Sequence, residues 1–391
     1  MSKIIPIFLI LTLYSSAISY QSLKKHALKN ATVLQKQELN LAIITQQNNI
    51  IMRTQNPTLN IEASHFNPEF ANKEFGYGVT ASQTIRTNGY YDAQEAQNSA
   101  SVQLQERYTQ QTKARYSRNF DRLYTQYVYE SKRVTLFQDE YQLASKITKM
   151  IHAQYQNGSG TKVDYLQAKT SMLALKTQIS TSKQVANRYL YQLLALAGFS
   201  KKVSLSKKFL YKTSINKPNK SKKTIKEQIL MAKNELLKKK LALQQHTFKQ
   251  YSLYGGIEKE PEQSILRFGV AVNLPIFNKN KEEQMLTKLQ MMQLSLDKKQ
   301  LTRTNALKKE QLRYTLQAIK EQSLGLNRLK KEQKNLFRLL QEGYNISKGS
   351  VFMMVNAQKR LIQTQKSLLL TQQLFNAKTI ELHFLQGAYN D

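Results

Sequence analysis

The chain contains no cysteine, which excludes disulfides, thiolate metal sites and a lipid-anchored N-terminal cysteine. Helix breakers are also scarce: 13 glycines and 6 prolines punctuate 391 residues, which predicts long helices. Acidic residues are few, 26 against 59 basic ones, leaving a formal net charge of +33. That imbalance points to an anionic partner such as nucleic acid, lipid headgroups or an acidic protein, and says nothing about fold. Beyond the N-terminus there is no uncharged apolar stretch of membrane-spanning length. A mature chain that enters a bilayer must therefore do so as β-strands. Catalytic patterns are missing too. His26, His65, His152, His246 and His383 never fall at ligand spacing, and no paired carboxylates sit in an apolar setting. "GSGTK" at 158–162 lacks the order of a phosphate loop. No enzyme activity, cofactor or metal is expected. Met353 and Met354 are read as flexible apolar packing rather than soft ligands.

The first residues, "MSKIIPIFLILTLYSSAISYQ", combine a basic start at Lys3, an apolar run from Ile4 to Leu13, and small residues at Ala17 and Ser19. This is the pattern of a secretory signal peptide, residues 1–19, cut near Ser19. The apolar run is too short to span a bilayer, which needs roughly 20 residues.

The rest of the chain contains itself twice. Tyr155 matches Tyr344, Gly160 matches Gly349, Ala168 matches Ala357 and Gly198 matches Gly387. The offsets 344−155, 349−160, 357−168 and 387−198 are each 189. Upstream, "FGYGVTASQTI" (75–85) pairs with "LRFGVAVNLPI" (266–276), and "SLKKHALKNATVLQ" (22–35) pairs with "TIKEQILMAKNELL" (224–237). A first repeat over 20–198 and a second over 224–391 follow. Each runs helix, two short strands, long helix, glycine turn, return helix. Alternation predicts strands at about 58–66 and 75–85, then at about 251–259 and 264–274. The fold class expected is mainly α with short β.

Heptad spacing supports the long helices. In the first repeat a seam runs through Phe120, Leu123, Tyr127, Val134, Phe137, Tyr141, Ala144 and Ile151, and skips Glu130. A second row at Tyr124 and Val128 implies more than one neighbour. In the second repeat Leu312, Leu316, Ile319, Leu326, Leu329, Leu336 and Leu340 are expected to pack in the same way. A helix over 89–155 rises about 100 Å, which no ordinary globular domain requires. Between the repeats, residues 199–223 form a Lys-rich segment without acidic residues, read as a solvated, partly extended linker. An electrostatic docking strip is the functional alternative for it. Four strands cannot close a membrane barrel, whose smallest known form has about 8. Membrane strands here would demand an oligomer.

Two halves that each carry Y-x₄-G-[ST] with Ala seven residues later, together with "FGYGVTASQTI" and "FGVAVNLPIFNKN", resemble the outer membrane efflux (TolC-like) family. The resemblance covers essentially the whole mature chain. It rests on the order and spacing of loose motifs, none of them specific alone. It implies a homotrimer whose twelve strands close one outer membrane β-barrel, continued into the periplasm by an α-helical tunnel of coiled-coil pairs. It implies a role as the exit duct of a tripartite efflux system, or of type I secretion, with a periplasmic adaptor protein and an inner membrane transporter as partners. Outer membrane lipid is then a partner and nucleic acid is not. The turns at Asn157, Gly158, Gly160 and Thr161, and at Ser347, Gly349 and Ser350, would form the tip that meets the adaptor. By the same resemblance Met353 and Asn356 occupy the family's gate positions, with Asp164 as the first-repeat counterpart. The family's acidic gate residues are replaced at Met353 and Asn356, which implies an apolar constriction. "NLPIFNKNKEE" (273–283) is similar to a segment of the heavy-metal cation-efflux branch. The alternative is an exported coiled-coil or adhesin-like rod without a pore. Such a rod has no use for a duplicated strand pair.

Overall fold

The computed structural model describes residues 17–67, 74–213, 222–277, 279–346 and 350–390. The expectations for residues 1–16, for the turn at 68–73, for linker residues 214–221 and for Ser347 and Gly349 lie outside the described residues. The element order is α1 (Tyr20–Asn30), α2 (Thr32–Met52), β1 (Thr58–Phe66), β2 (Glu74–Arg86), α3 (Asn88–Gln156) and α4 (Lys162–Leu196), then α5 (Ile225–Gln245), β3 (Gln250–Lys259), β4 (Ser264–Val272), α6 (Lys281–Asn345) and α7 (Val351–Leu385). The order of the first half recurs in the second, with α5 standing where α1 and α2 stand. Helix α3 runs unbroken for 69 residues and α6 for 65. No helix among the described residues is long and apolar enough to cross a membrane.

The duplication extends to the backbone at the ends of the return helices. Gly198 (φ 77°) and Gly387 (φ 75°) both adopt the left-handed conformation that a side chain resists. Phe199 N–H donates to Leu194 O (2.9 Å) and Ala388 N–H donates to His383 O (3.0 Å). Each bond spans five residues, and both partners are 189 apart between repeats (388−199 and 383−194).

The compact units do not follow the sequence halves. One unit is drawn from residues 1–35, 113–222 and 306–391, the other from 36–112 and 223–305. Each takes residues from both repeats.

In the first unit the heptad seam of α3 is a core. Phe120, Tyr124, Tyr127 and Val128 are buried with Leu23, Leu190, Leu193 and Leu205. More than one neighbour is indeed present: Tyr124 meets Tyr20 of α1 (ring centroids 4.9 Å), and Leu190 and Leu193 of α4 and Leu205 beyond it share the same core. The seam of α6 departs from expectation. Leu312, Leu316 and Ile319 are buried, but Leu329 and Leu336 are exposed. Burial instead follows Ser323, Phe337 and Tyr344, with Leu326, Lys330, Gln333 and Leu340 half-buried between them. That path keeps a strict 4,3 step, so helix geometry outranked residue type: apolar side chains one position off the seam stay outside. The Lys-rich segment is also corrected over 199–213. It is extended, but Phe199, Val203, Phe209 and Leu210 pack against the core and Leu205 is buried. Tyr124 donates to Ser206 O (2.9 Å), Tyr211 N–H donates to Asn376 Oδ1 (2.8 Å), and Asn376 Nδ2 returns a bond to Tyr211 O (2.9 Å). Its lysines Lys201, Lys202, Lys207 and Lys208 remain in water.

Glu130 and Glu140 are among the buried carboxylates of α3. Glu130 is held by Arg133 (3.3 Å). Glu140 is 6 % exposed, and its Oε2 has no hydrogen-bond partner among the described residues. Burial pushes its carboxyl up, Asp139 adds to the rise and Gln358 opposes it. A raised folded-state pKa favours the protonated form. That contribution is complete below the unfolded value of about 4.3 and is lost as pH rises through the folded value. Glu140→Gln is therefore expected to stabilise the protein at neutral pH by about 1 kcal/mol. The gain should vanish in acid. Thermal unfolding midpoints of both proteins at pH 7 and pH 4 check this, and an equal gain at both would refute it.

The second unit contains the sheet and the helix ends around it. Thr224 and Glu227 close a reciprocal capping box at the start of α5. Ile225 and Ile229 are buried against Leu104 of α3. Gln244 near the end of α5 holds the start of α6: its carbonyl accepts from Asn280 Nδ2 (3.1 Å) and Gln284 Nε2 (3.2 Å), and its Oε1 accepts from Thr287 (2.9 Å).

Candidate functional site

The four strands form one antiparallel sheet in the order β1-β2-β3-β4. Their observed limits differ from the predicted ones by at most two residues. Register sorts the side chains into two faces. Ile61, Val79, Ile257 and Leu266 lie in one row across the sheet, and Leu59, Ala81, Gly255 and Phe268 lie in another. Between them runs the row Asn60, Thr80, Gly256 and Arg267, flanked by Glu62, Gly78, Glu258 and Ile265. Directly opposed residues in antiparallel strands share a face, and successive rows alternate. One face is thus apolar and the other polar.

The apolar face is not a core. Ile61 is 72 % exposed, Phe75 77 % and Phe268 75 %. The polar face carries its own ion pair, Arg267 to Glu258 at 2.6 Å, and a Thr84–Ser252 hydroxyl contact at 2.9 Å. Strands of 9 to 13 residues match the length that crosses a bilayer when tilted. The outer edges of β1 and β4 pair with no other described strand. A sheet with one greasy exposed face, one polar face and two open edges has a surface suited to lipid and a surface suited to water. Its edge N–H and C=O groups need partners before lipid can surround it.

At the turn expected to form the tip, α3 gives way to α4. Asn157 N–H donates to Ala153 O (3.0 Å), and Ser159 and Gly160 N–H both donate to Gln154 O (2.9 and 3.0 Å). Gly158 takes φ 75°, the conformation that glycine permits. Gly160 does not adopt positive φ. Its requirement is space, since a Cβ there would lie 3.1 Å from Tyr155 N and 3.2 Å from Gln154 Cβ. Thr161 caps α4 by accepting from Asp164 N–H (3.1 Å), and its hydroxyl donates to Asp164 Oδ2 (2.8 Å). Asp164 is thereby engaged with its own helix start. Ser350, the counterpart of Thr161, precedes α7 but makes no side-chain cap. The matched tyrosines also differ. Tyr155 stacks on Tyr165 with ring centroids 6.2 Å apart, whereas Tyr344 is buried and donates to Gln154 Oε1.

Of the residues expected at the gate, Met353 is 55 % exposed at the third residue of α7, and Asn356 is half-buried one turn on. Met354 is fully buried with Ile147, Ile151 and Val355. Adjacent methionines therefore do opposite jobs: one fills the core and one is left outside it. No group of three or more metal-ligating side chains occurs among the described residues.

Protein-family models and curated proteins yield no match to this chain. Solved structures do. The chain is similar to CusC, a transmembrane channel protein, at 15 % identity and TM-score 0.76, covering 94 % of this chain and 91 % of that one. It is similar to the outer-membrane channel OprN at 12 % identity and TM-score 0.78, covering 95 % and 90 %. It is also similar to the outer membrane protein VceC from Vibrio cholerae at 13 % identity and TM-score 0.75, covering 94 % and 95 %. The fold is that of outer membrane channel proteins. At such low identity the likeness lies in the path of the backbone.

Within that fold, sequence reasoning missed one constellation. Asp121 of α3 is almost fully buried and accepts from Tyr20 (2.5 Å), Tyr389 (2.6 Å) and Lys24 (2.9 Å). Burial, and then the Asp121 charge, push both tyrosine hydroxyls up, so they stay protonated donors. Burial raises the neighbouring Tyr211 to about 12 as well, with the Asp121 charge adding to it. The only sequence signal was an acidic residue beside an apolar seam.

Proposed function

We propose that the chain is one protomer of a homotrimeric outer membrane exit duct. In this reading it carries solutes from an inner membrane transporter and a periplasmic adaptor to the exterior. The observation that carries the reading is the sheet: an exposed apolar face, a polar face, and two edges that pair with no other described strand. Three copies joined β4 to β1 give twelve strands, close every edge, and turn the apolar rows to lipid and the polar rows to a water-filled lumen. The helices then continue as a periplasmic tunnel, and the turns at Asn157–Thr161 and around Ser350 form the end that meets the adaptor. The test is the oligomer. A heat-modifiable trimer in the outer membrane fraction that conducts ions in planar bilayers is expected; a soluble monomer would refute the reading.

The gate is part of the same proposal. Met353 and Asn356 lie three residues apart on one face of α7 and outside the core, so three copies would place an apolar ring near the tunnel end. Single-channel recordings of Met353→Ala are expected to show raised conductance with unchanged trimer yield. Unaltered conductance would remove Met353 from the constriction.

A further inference from the structure

The N-terminal sequence offers two cleavage bonds with small residues at −1 and −3: after Ser19, with Ala17 at −3, and after Ala17, with Ser15 at −3. Side-chain size alone does not separate them. The fold does. Ile18 N–H donates to Ser204 O (2.9 Å), and Ser206 N–H donates to Ile18 O (3.1 Å). These bonds make a parallel bridge between Ile18 and Leu205, and the Ile18 side chain packs against the first unit's core. Ser19 is the N-cap of α1: its Oγ accepts from Ser22 N–H (3.2 Å) and its carbonyl accepts from Leu23 N–H (3.0 Å). Ala17 is exposed and outside any regular element.

We infer that the exported chain is cut between Ala17 and Ile18, so that Ile18 is the mature N-terminus. The inference rests on the reading that the chain is exported through a signal peptide. Water adds across the Ala17–Ile18 amide under a membrane-bound signal peptidase. Its oxygen completes a carboxylate on Ala17, and the Ile18 nitrogen leaves as an amine that protonates. The resulting ammonium still has N–H groups to give to Ser204 O, so the bridge survives with a charged donor. A cut after Ser19 would delete both bridge bonds and the helix cap. It would also set a new positive charge on Tyr20, at the positive end of the α1 dipole.

The first residue and the intact mass of the chain purified from the cell envelope decide the matter. A mature chain starting at Ile18, heavier by Ile18 and Ser19 than the alternative, is expected. Ser19→Leu occupies −1 of the rejected bond and should be processed at the same place as the wild type. Ser15→Leu occupies −3 of the inferred bond and should accumulate as full-length precursor. A chain beginning at Tyr20, or a Ser19→Leu chain that stays uncut, overturns the inference. A full-length wild-type chain found in the outer membrane as a trimer also overturns it, but leaves the channel reading standing. Recovery of the wild type only from the cytoplasm removes both.

Discussion

Phe268→Arg is expected to abolish the folded trimer in the outer membrane. Phe268 sits at the middle of β4, 75 % exposed on the apolar face. Its ring lies over Gly255, where a Cβ would come within 3.1 Å of it. An arginine at mid-strand on a lipid-facing position costs about 2–4 kcal/mol per copy, and a closed trimer would bear that cost three times. Asn60→Arg is the matched control. Asn60 is exposed too, but its row contains Thr80 and Arg267 and belongs to the polar face. A lumen-facing arginine meets water, so trimer yield should hold. The measurement is the amount of heat-modifiable trimer in membranes from cells expressing each variant at equal level. Equal yields would mean the apolar rows do not face lipid. Loss in both would mean that any charge on the sheet disrupts it, and neither result is compatible with the proposed barrel.

Asp121→Ala is expected to be the most destabilising single change among the helices. It removes the acceptor for the hydroxyls of two half-buried tyrosines and the counter-ion of Lys24. Breaking a buried ion pair by deleting one partner costs about 3–5 kcal/mol. Lys24 keeps 23 % of its side chain exposed and can recover hydration, so roughly 3 kcal/mol is the better figure. The consequence is local as well as global. Tyr20 and Lys24 belong to α1 and Tyr389 follows α7, so one carboxylate ties both ends of the described chain to α3. Limited proteolysis of Asp121→Ala should release peptides from both ends before any from α3. The urea midpoint should fall with them. Tyr20→Phe and Tyr389→Phe each remove one bond and leave the charge paired, so each should cost about 1 kcal/mol. Unchanged protease resistance of Asp121→Ala would show that the ends are held by packing alone.

These two changes differ in how they could have been foreseen. The apolar rows of the sheet were legible, because a period of two in a run such as "FGYGVTASQTI" is a local property and register follows once strands pair. Phe268 could be assigned to a face by counting. Asp121 could not, because its partners stand 101, 97 and 268 residues away in the chain. No periodicity links such positions. The α6 seam falls between the two cases. Its first half was readable from Leu312, Leu316 and Ile319, but beyond Leu326 the leucines at 329 and 336 stand off the 4,3 path, which runs through Lys330, Gln333 and Phe337. A stripe rich in polar residues is invisible to a search for apolar ones.

At the turn after α3, sequence identified the helix break and its repetition, and structure separated the duties of its glycines. Gly158 supplies a left-handed turn and Gly160 supplies room. The hydroxyl after each turn is shared in sequence, yet only Thr161 makes a side-chain cap.

By itself, then, the sequence determined the duplication, the element order, the strand limits to within two residues, and the condition that these strands can line a membrane only in an oligomer. All of these depend on local periodicity, on the scarcity of breakers, or on the requirement that backbone groups be satisfied in lipid. Tertiary structure alone decided how residues from both repeats share each compact unit, where the α6 seam runs past Leu326, and why the Lys-rich segment is held down. It also decided that Asp121 fastens the two ends, and that Ile18 and Ser19 belong to the fold. Each of these depends on which distant residues share a core, and that is settled only when long-range packing is complete.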